Sequence, residues 1–242
     1  NSAGTITGVG NEAITVSGSV TSTDLATLDG YTTGTVSVNT SSTTMAATTL
    51  NTLDTDSTTV VDASTVTTLT GSAADINTAY ASAGISGLGN EAVTLTDTSL
   101  ATSTLTTLDG NTSGTVNAST VTTLTGSAAD ITSTLGATGI TFGTTVGGTI
   151  NDVSVSASAL NTLDTAAGGT IDASTVKTIT GTGTAALTAF ESAGISGLVF
   201  DASSYIAGYA DLMAAFSSDL GAARVHYFDF GVSEGRSFDA FD

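Results

Sequence analysis

Asp62-Ala63-Ser64-Thr65-Val66-Thr67-Thr68-Leu69-Thr70-Gly71 returns as Asn117 to Gly126 and again as Asp172 to Gly181, with equal spacing both times. Thr-Leu-Asp keeps the same interval at Asp54, Asp109 and Asp164, and so do Gly84-Ile85, Gly139-Ile140 and Gly194-Ile195. A fixed period, here about 55 residues, is the signature of stacked supersecondary units, so it is read before anything else. Thr68-Leu69-Thr70 also matches Thr94-Leu95-Thr96 and Thr123-Leu124-Thr125 at shorter spacing, which halves the period to a unit of about 27 residues.

Within each unit the β-branched residues alternate, as in Val121-Thr122-Thr123-Leu124-Thr125, and period-two alternation is a strand signal. Leu105/Leu108 and Leu160/Leu163 stand three apart, as on one face of a helical turn. Ser72 and Ser127 precede Ala-Ala-Asp-Ile where a helix cap would sit, and Gly84 follows where such a turn would stop. No single unit can bury its own apolar face, whereas parallel stacking of neighbours builds one continuous core. The expected fold is therefore mainly β: a parallel β-solenoid of about eight coils, with short helical turns at the corners. Thr and Val outnumber Leu in the strand segments, which favours this over an α/β rival of leucine-rich-repeat type. Val66, Val93, Val121 and Val176 are expected in one inward column. Thr27-Leu28-Asp29 precedes Thr52-Leu53-Asp54 by less than half the full period, so the first repeat carries an extra single unit.

The composition shifts near Phe200. Nine of the 13 aromatic residues, counting Phe200, and both arginines lie from there onward, and Tyr205 to Phe216 and Leu220 to Phe230 space apolar groups as amphipathic helices do. The expected division is a repeat region, 1–199, followed by a small helical module, 200–242.

Charge excludes several classes of function. Twenty-two acidic residues face three basic ones, Lys177, Arg224 and Arg236, for a net charge of −19. A groove that follows phosphates needs cations, and residues 1–176 contain none, so no nucleic-acid partner is expected. Anionic lipid surfaces are excluded likewise, and no apolar run reaches the ~18 residues of a membrane span. The 40% apolar content separates the chain from disordered, charge-dense tails. Zero cysteine fits secretion without disulfides. A chain beginning at Asn1 reads as a processed product.

Catalysis is not expected. His226 is the only histidine and reads as a packing residue, so neither a soft-ligand metal site nor a Ser-His-Asp triad is in prospect. Paired carboxylates alone suffice for glycoside hydrolysis, but the repeats lack the aromatic and basic groups that hold sugars. The series Asp29, Asp54, Asp109 and Asp164 is the one candidate metal site: stacked carboxylates repel one another and invite calcium, while the alternative is that each caps its own turn. Asn39, Asn111 and Asn117 stand in Asn-x-Ser/Thr patterns, which a Ser/Thr-rich chain produces often.

The Thr-rich stretches, notably Gly89-Asn90-Glu91-Ala92-Val93-Thr94-Leu95-Thr96 and Asp172-Ala173-Ser174-Thr175-Val176, resemble those of long repeat proteins secreted by marine cyanobacteria. Tyr205 to Phe216, continuing through His226-Tyr227-Phe228 to Arg236, resembles a small module of large secreted bacterial proteins, and Ser237 to Asp242 resembles the C-terminal signals of type I secretion. These resemblances imply an extracellular or cell-surface location and a structural role, and they carry over no catalytic residue. The expected function is thus a subunit of a filament, matrix or surface layer, self-assembling head to tail through its coil ends. Two alternatives are a Thr-array module for ice or surface adhesion, built on Thr68/Thr70, Thr94/Thr96, Thr123/Thr125 and Thr178/Thr180, and a polysaccharide-active enzyme.

Overall fold

The Thr-Leu-Thr segments do form strands, but what lies between them overturns the mainly-β expectation. The computed structural model describes residues 11, 14–17, 36–39, 42–57 and 60–238. Among these, nine α-helices alternate with short parallel strands, so the chain is α/β and not a β-solenoid. The helices are full elements of their own, where corner turns were expected.

Topology explains why. Thr44 pairs with Thr68, Thr68 with Ala92, and Thr123 with Gly147, all parallel and all at one constant step along the chain. Parallel neighbours need a crossover of a dozen or more residues, and a helix is the usual way to satisfy the backbone on that return. Threonine hides this in the sequence, because its β propensity is weak evidence once its hydroxyl bonds back into a helix. Thr52 donates to the carbonyl of Thr48, Thr55 to Asn51, Thr78 to Ala74, Thr162 to Ser158 and Thr165 to Asn161, each at 2.8–2.9 Å. Ser72, Ser127 and Ser156 cap three helices, as does Thr182 a fourth, each accepting from the backbone N–H three residues on.

Two compact units are present: residues 1–97 with 104–120 and 139–141, and residues 98–103 with 121–138 and 142–242. In the first, β1 (Ile14–Ser17), β2 (Val36–Asn39), β4 (Val61–Asp62) and β6 (Ile85–Ser86) form one sheet. A second sheet runs β3 (Thr44–Ala46), β5 (Thr68–Gly71), β7 (Ala92–Leu95), β9 (Val116–Ala118) and β11 (Ile140–Phe142). Helices α1 (Ala47–Asp56) and α2 (Ala73–Ala81) pack together, with Ala47, Leu50, Leu53 and Ile76 fully or almost fully buried.

In the second unit β8 (Ser99–Ala101), β10 (Thr123–Gly126), β12 (Gly147–Ile150), β14 (Ile171–Asp172) and β16 (Ile195–Ser196) form a sheet, and β13 (Ser154–Ser156) pairs with β15 (Thr178–Thr180) alone. Helices α4 (Ala128–Leu135), α5 (Ala157–Ala166) and α6 (Gly183–Glu191) pack in succession, while α3 (Thr102–Asn111) belongs from Thr104 onward to the first unit.

The sequence period is not a whole multiple of the strand-pairing step, and the sheets absorb the mismatch. Each five-stranded sheet takes three strands from one repeat and two from the next: β3, β5, β7 then β9, β11, and β8, β10, β12 then β14, β16. The four valines consequently do not form a column. All are buried, but Val93 lies on β7, while Val66, Val121 and Val176 precede β5, β10 and β15 in three different sheets.

Beyond Phe200 the second unit carries α7 (Ala202–Gly208), α8 (Ala210–Phe216), α9 (Leu220–His226) and a π-helical turn, Tyr227–Gly231. Tyr205, Tyr227 and Phe238 are buried, with Phe190 and Phe200 against them in edge-on and stacked contacts. Aromatic packing of this density compensates for the shortness of helices that are marginal alone.

Candidate functional site

The aspartate series belongs to the helix ends. Asp54, Asp109 and Asp164 lie on the last turns of α1, α3 and α5, and Asp29 lies outside the described residues. Ser82 donates its hydroxyl to Asp54 Oδ2 at 2.6 Å and accepts from the Gly84 N–H at 3.0 Å. Ser192, Asp164 and Gly194 repeat this at 2.7 and 3.0 Å. Each carboxylate also presses on its glycine: a Cβ at Gly84, Gly139 or Gly194 would come within 1.8, 2.2 or 2.0 Å of the Oδ1 of Asp54, Asp109 or Asp164. Position 137 is alanine, so Asp109 keeps the glycine contact without the serine. Among the described residues no three carboxylate, imidazole or thiol side chains converge as a metal cage would require.

A second aspartate series, which sequence reading passed over, serves the helix starts. Asp97 accepts from the Ala73 N–H at 2.8 Å and Asp152 from the Ala128 N–H at 2.7 Å, satisfying donors that no intrahelical carbonyl reaches. A negative charge there also suits the helix dipole.

Glu91 is the buried charge of the first unit. It is fully enclosed, and its Oε2 accepts from the N–H groups of Gly89 and Asn90 at 2.8 and 3.2 Å and from the Tyr80 hydroxyl at 3.0 Å. Its carbonyl accepts from Thr112 at 2.6 Å, while its Oε1 has no hydrogen-bond partner among the described residues. Burial, with the Glu91 charge adding, pushes the Tyr80 hydroxyl well above its ordinary value. The sequence showed Gly89-Asn90-Glu91 only as a turn; an acid directly after Gly-Asn was the available signal.

The Thr-x-Thr pairs do not belong to one sheet. Thr68/Thr70 lie on β5, Thr94 on β7, Thr123/Thr125 on β10 and Thr178/Thr180 on β15, which are three sheets, and the register sets Thr70 beside Thr94. In the second unit a groove of ≈ 390 Å³ opens where strands β8, β10 and β12 meet the helix starts, lined by Thr102, Thr125, Ser127, Asp130, Asn151 and Thr175 among others. Its lining contains no aromatic or basic side chain to grip a sugar.

His226 packs as expected. Its Nδ1 stands 2.9 Å from the Tyr205 hydroxyl and its ring lies against Phe216 and Phe230. Arg236 bridges to Asp211 through two nitrogens and to Glu234, and lies over the Tyr209 ring. The Arg236 guanidinium holds the Asp211 carboxyl below the usual carboxylate range. Comparison with known protein families, with curated proteins and with solved structures finds no match for this chain.

Proposed function

We propose that this chain is a structural protein of the cell exterior, a subunit of a filament, matrix or surface layer that joins other copies through the ends of its strand ladders, and that it is not an enzyme. One observation supports this most. The polar side chains that chemistry would use are spent on holding one stretch of chain to the stretch 24 to 28 residues on: Asn51 to Asp75, Asn161 to Ala185, Thr67 to Thr43, Thr122 to Thr98, Asp97 to Ala73 and Ser82 to Asp54. Such bonds stiffen a repeating framework and leave little to act on a substrate. The acidic, hydroxyl-rich and cysteine-free composition supports the exterior location.

Negative-stain microscopy of the purified full chain across a concentration series tests the reading. Chains of end-joined particles that lengthen with concentration are expected. Monodisperse single particles at the highest concentration would contradict it.

A further inference from the structure

The Asn-x-Ser/Thr pattern that N-linked glycosylation requires occurs at Asn39, Asn111 and Asn117, and the fold sets the last two apart. Asn111 ends α3 half-buried, and its Nδ2 donates to Asn77 Oδ1 at 3.0 Å. The hydroxyl of its motif, on Ser113, donates to the Gly89 carbonyl at 3.3 Å, and Thr112 between them is buried. A sugar on Asn111 would have to break the Asn77 bond and find room beside a buried residue. The side chain of Asn39 lies outside the described residues. Asn117, on β9, is exposed, and so is Ser119.

Comparison of the three repeats shows what is unusual at Asn117. It stands where the other repeats have Asp62 and Asp172. All three side chains make one and the same turn, their Oδ1 accepting from the N–H of Ser64, Ser119 or Ser174 two residues on, at 3.0 Å each time. The turn needs only that oxygen, which a carboxylate supplies as well as an amide does. What Asn117 adds is an –NH2 group that makes no hydrogen bond among the described residues and stands in solvent. Ser119 lends the turn its main-chain N–H, and its hydroxyl takes no part. On the neighbouring strand the residue in register with Asn117 is Thr94, itself exposed and short, so the amide has space around it.

We propose that Asn117 Nδ2 is an acceptor site for N-linked sugar, and that the fold selects it over Asn111. The transfer makes one bond and breaks one. Nδ2 gives a proton to a base of the transferase and bonds to the anomeric carbon of a sugar activated as a phosphate ester; the C–O bond to phosphate breaks, and its electron pair leaves with the phosphate. The Ser119 N–H on Oδ1 draws electron density toward the oxygen, which makes the Nδ2 protons more acidic and eases that loss. The turn also holds the first and third residues of the motif together, so that amide and hydroxyl are presented as a pair. The site rests on the exterior location proposed above and adds to it a covalent modification of the outer sheet surface.

The test starts from the purified full chain made without sugar, incubated with a soluble N-glycosyltransferase and UDP-glucose, with hexose located by peptide fragmentation in a mass spectrometer. Asn117 should gain hexose about tenfold faster than Asn111 or more, because Asn111 reacts only when its helix end opens. Synthetic peptides spanning each motif alone should both react, since the fold no longer separates them. Ser119→Ala keeps the N–H that the turn uses and removes the motif hydroxyl, so that variant should keep its Tm and gain no hexose at Asn117. Asn117→Asp, which copies Asp62 and Asp172, should do the same. Similar rates at Asn111 and Asn117 in the folded chain, an inert Asn117 in a chain whose peptide reacts, or undiminished labelling of Ser119→Ala would each overturn the site.

Mass spectrometry of the chain recovered from the outside of its own cells should find Asn117 carrying sugar. This also separates the site from the function it rests on. An exterior chain with Asn117 bare removes the site and keeps the structural function. A glycosylated chain that stays monomeric removes end-joining and keeps the site.

Discussion

The hydroxyl of Tyr80 donates to Oε2 of Glu91 at 3.0 Å, tying the end of α2 to a fully buried carboxylate beside β7. Hydrogen bonds to a charged group are worth about 1.5–3 kcal/mol, and a buried charge that loses a donor costs that much to leave behind. Tyr80→Phe should therefore destabilise the protein by about 2 kcal/mol in urea unfolding. Glu91→Ala, which forfeits the Gly89 and Asn90 bonds as well, should cost more. A Tyr80→Phe protein as stable as the parent would mean that this bond contributes nothing net.

The glycines facing carboxylates and the glycine facing backbone should behave differently. A methyl at Gly84 meets Asp54 Oδ1, which can swing away at the expense of its Ser82 bond, so Gly84→Ala should cost about 1–2 kcal/mol and little more once Asp54 is already alanine. A methyl at Gly114 meets the Glu91 carbonyl oxygen at 2.2 Å, and backbone cannot step aside. Gly114→Ala should be the more damaging by thermal unfolding. Since Asp54 and Asp164 accept from Ser82 and Ser192, a chelator should leave Tm unchanged; a fall of several degrees would favour the calcium role instead.

Which of these contacts were legible beforehand follows from the period. Repetition of Asp62–Gly71 located the strands, and Ser72 and Ser127 were readable as caps because a hydroxyl before Ala-Ala-Asp has one obvious use. The helices were underestimated because Thr-rich segments such as Thr102–Asn111 have poor intrinsic propensity; burial of Leu105 and Leu108 and hydroxyl back-bonding elsewhere in the helices outweigh it. The sheets were assigned wrongly because a long sequence period says which residues are equivalent, and nothing about which strand they pair with. Asp97 and Asp152 were missed for the same reason, since their partners stand 24 residues back.

Stability should have an alkaline limit set by buried tyrosines. Burial raises the hydroxyl of Tyr205 to about 12 and those of Tyr80 and Tyr227 further. The folded state thus holds protons that the unfolded chain releases near pH ~10, so this stability is complete below that pH and is lost as pH climbs toward 12 and beyond. At the acid end, hydrogen bonds from Ser203 and Ser204 lower Asp201 to about 2, and Asp62 and Asp211 are lowered by Ser64 and Arg236. Their contribution is present above about pH 4 and falls away below it, against the relief of self-repulsion in a chain of net charge −19. Urea midpoints from pH 3 to 11 should fall at both ends. A midpoint still rising at pH 11 would contradict the alkaline half.

Core packing gives the plainest stability test. Val121 is 1% exposed, and Val121→Asp places an unpaired charge among apolar neighbours, which should cost several kcal/mol, on the order of 3 or more. Val153, 63% exposed just before β13, is the matched control: Val153→Asp should change the urea midpoint little.

Joining between copies is the central claim, and sedimentation velocity of the full chain over a wide concentration series measures it directly. A sedimentation coefficient that climbs steadily with concentration is expected, because a head-to-tail contact propagates. A single boundary at the monomer value at every concentration would contradict end-to-end joining.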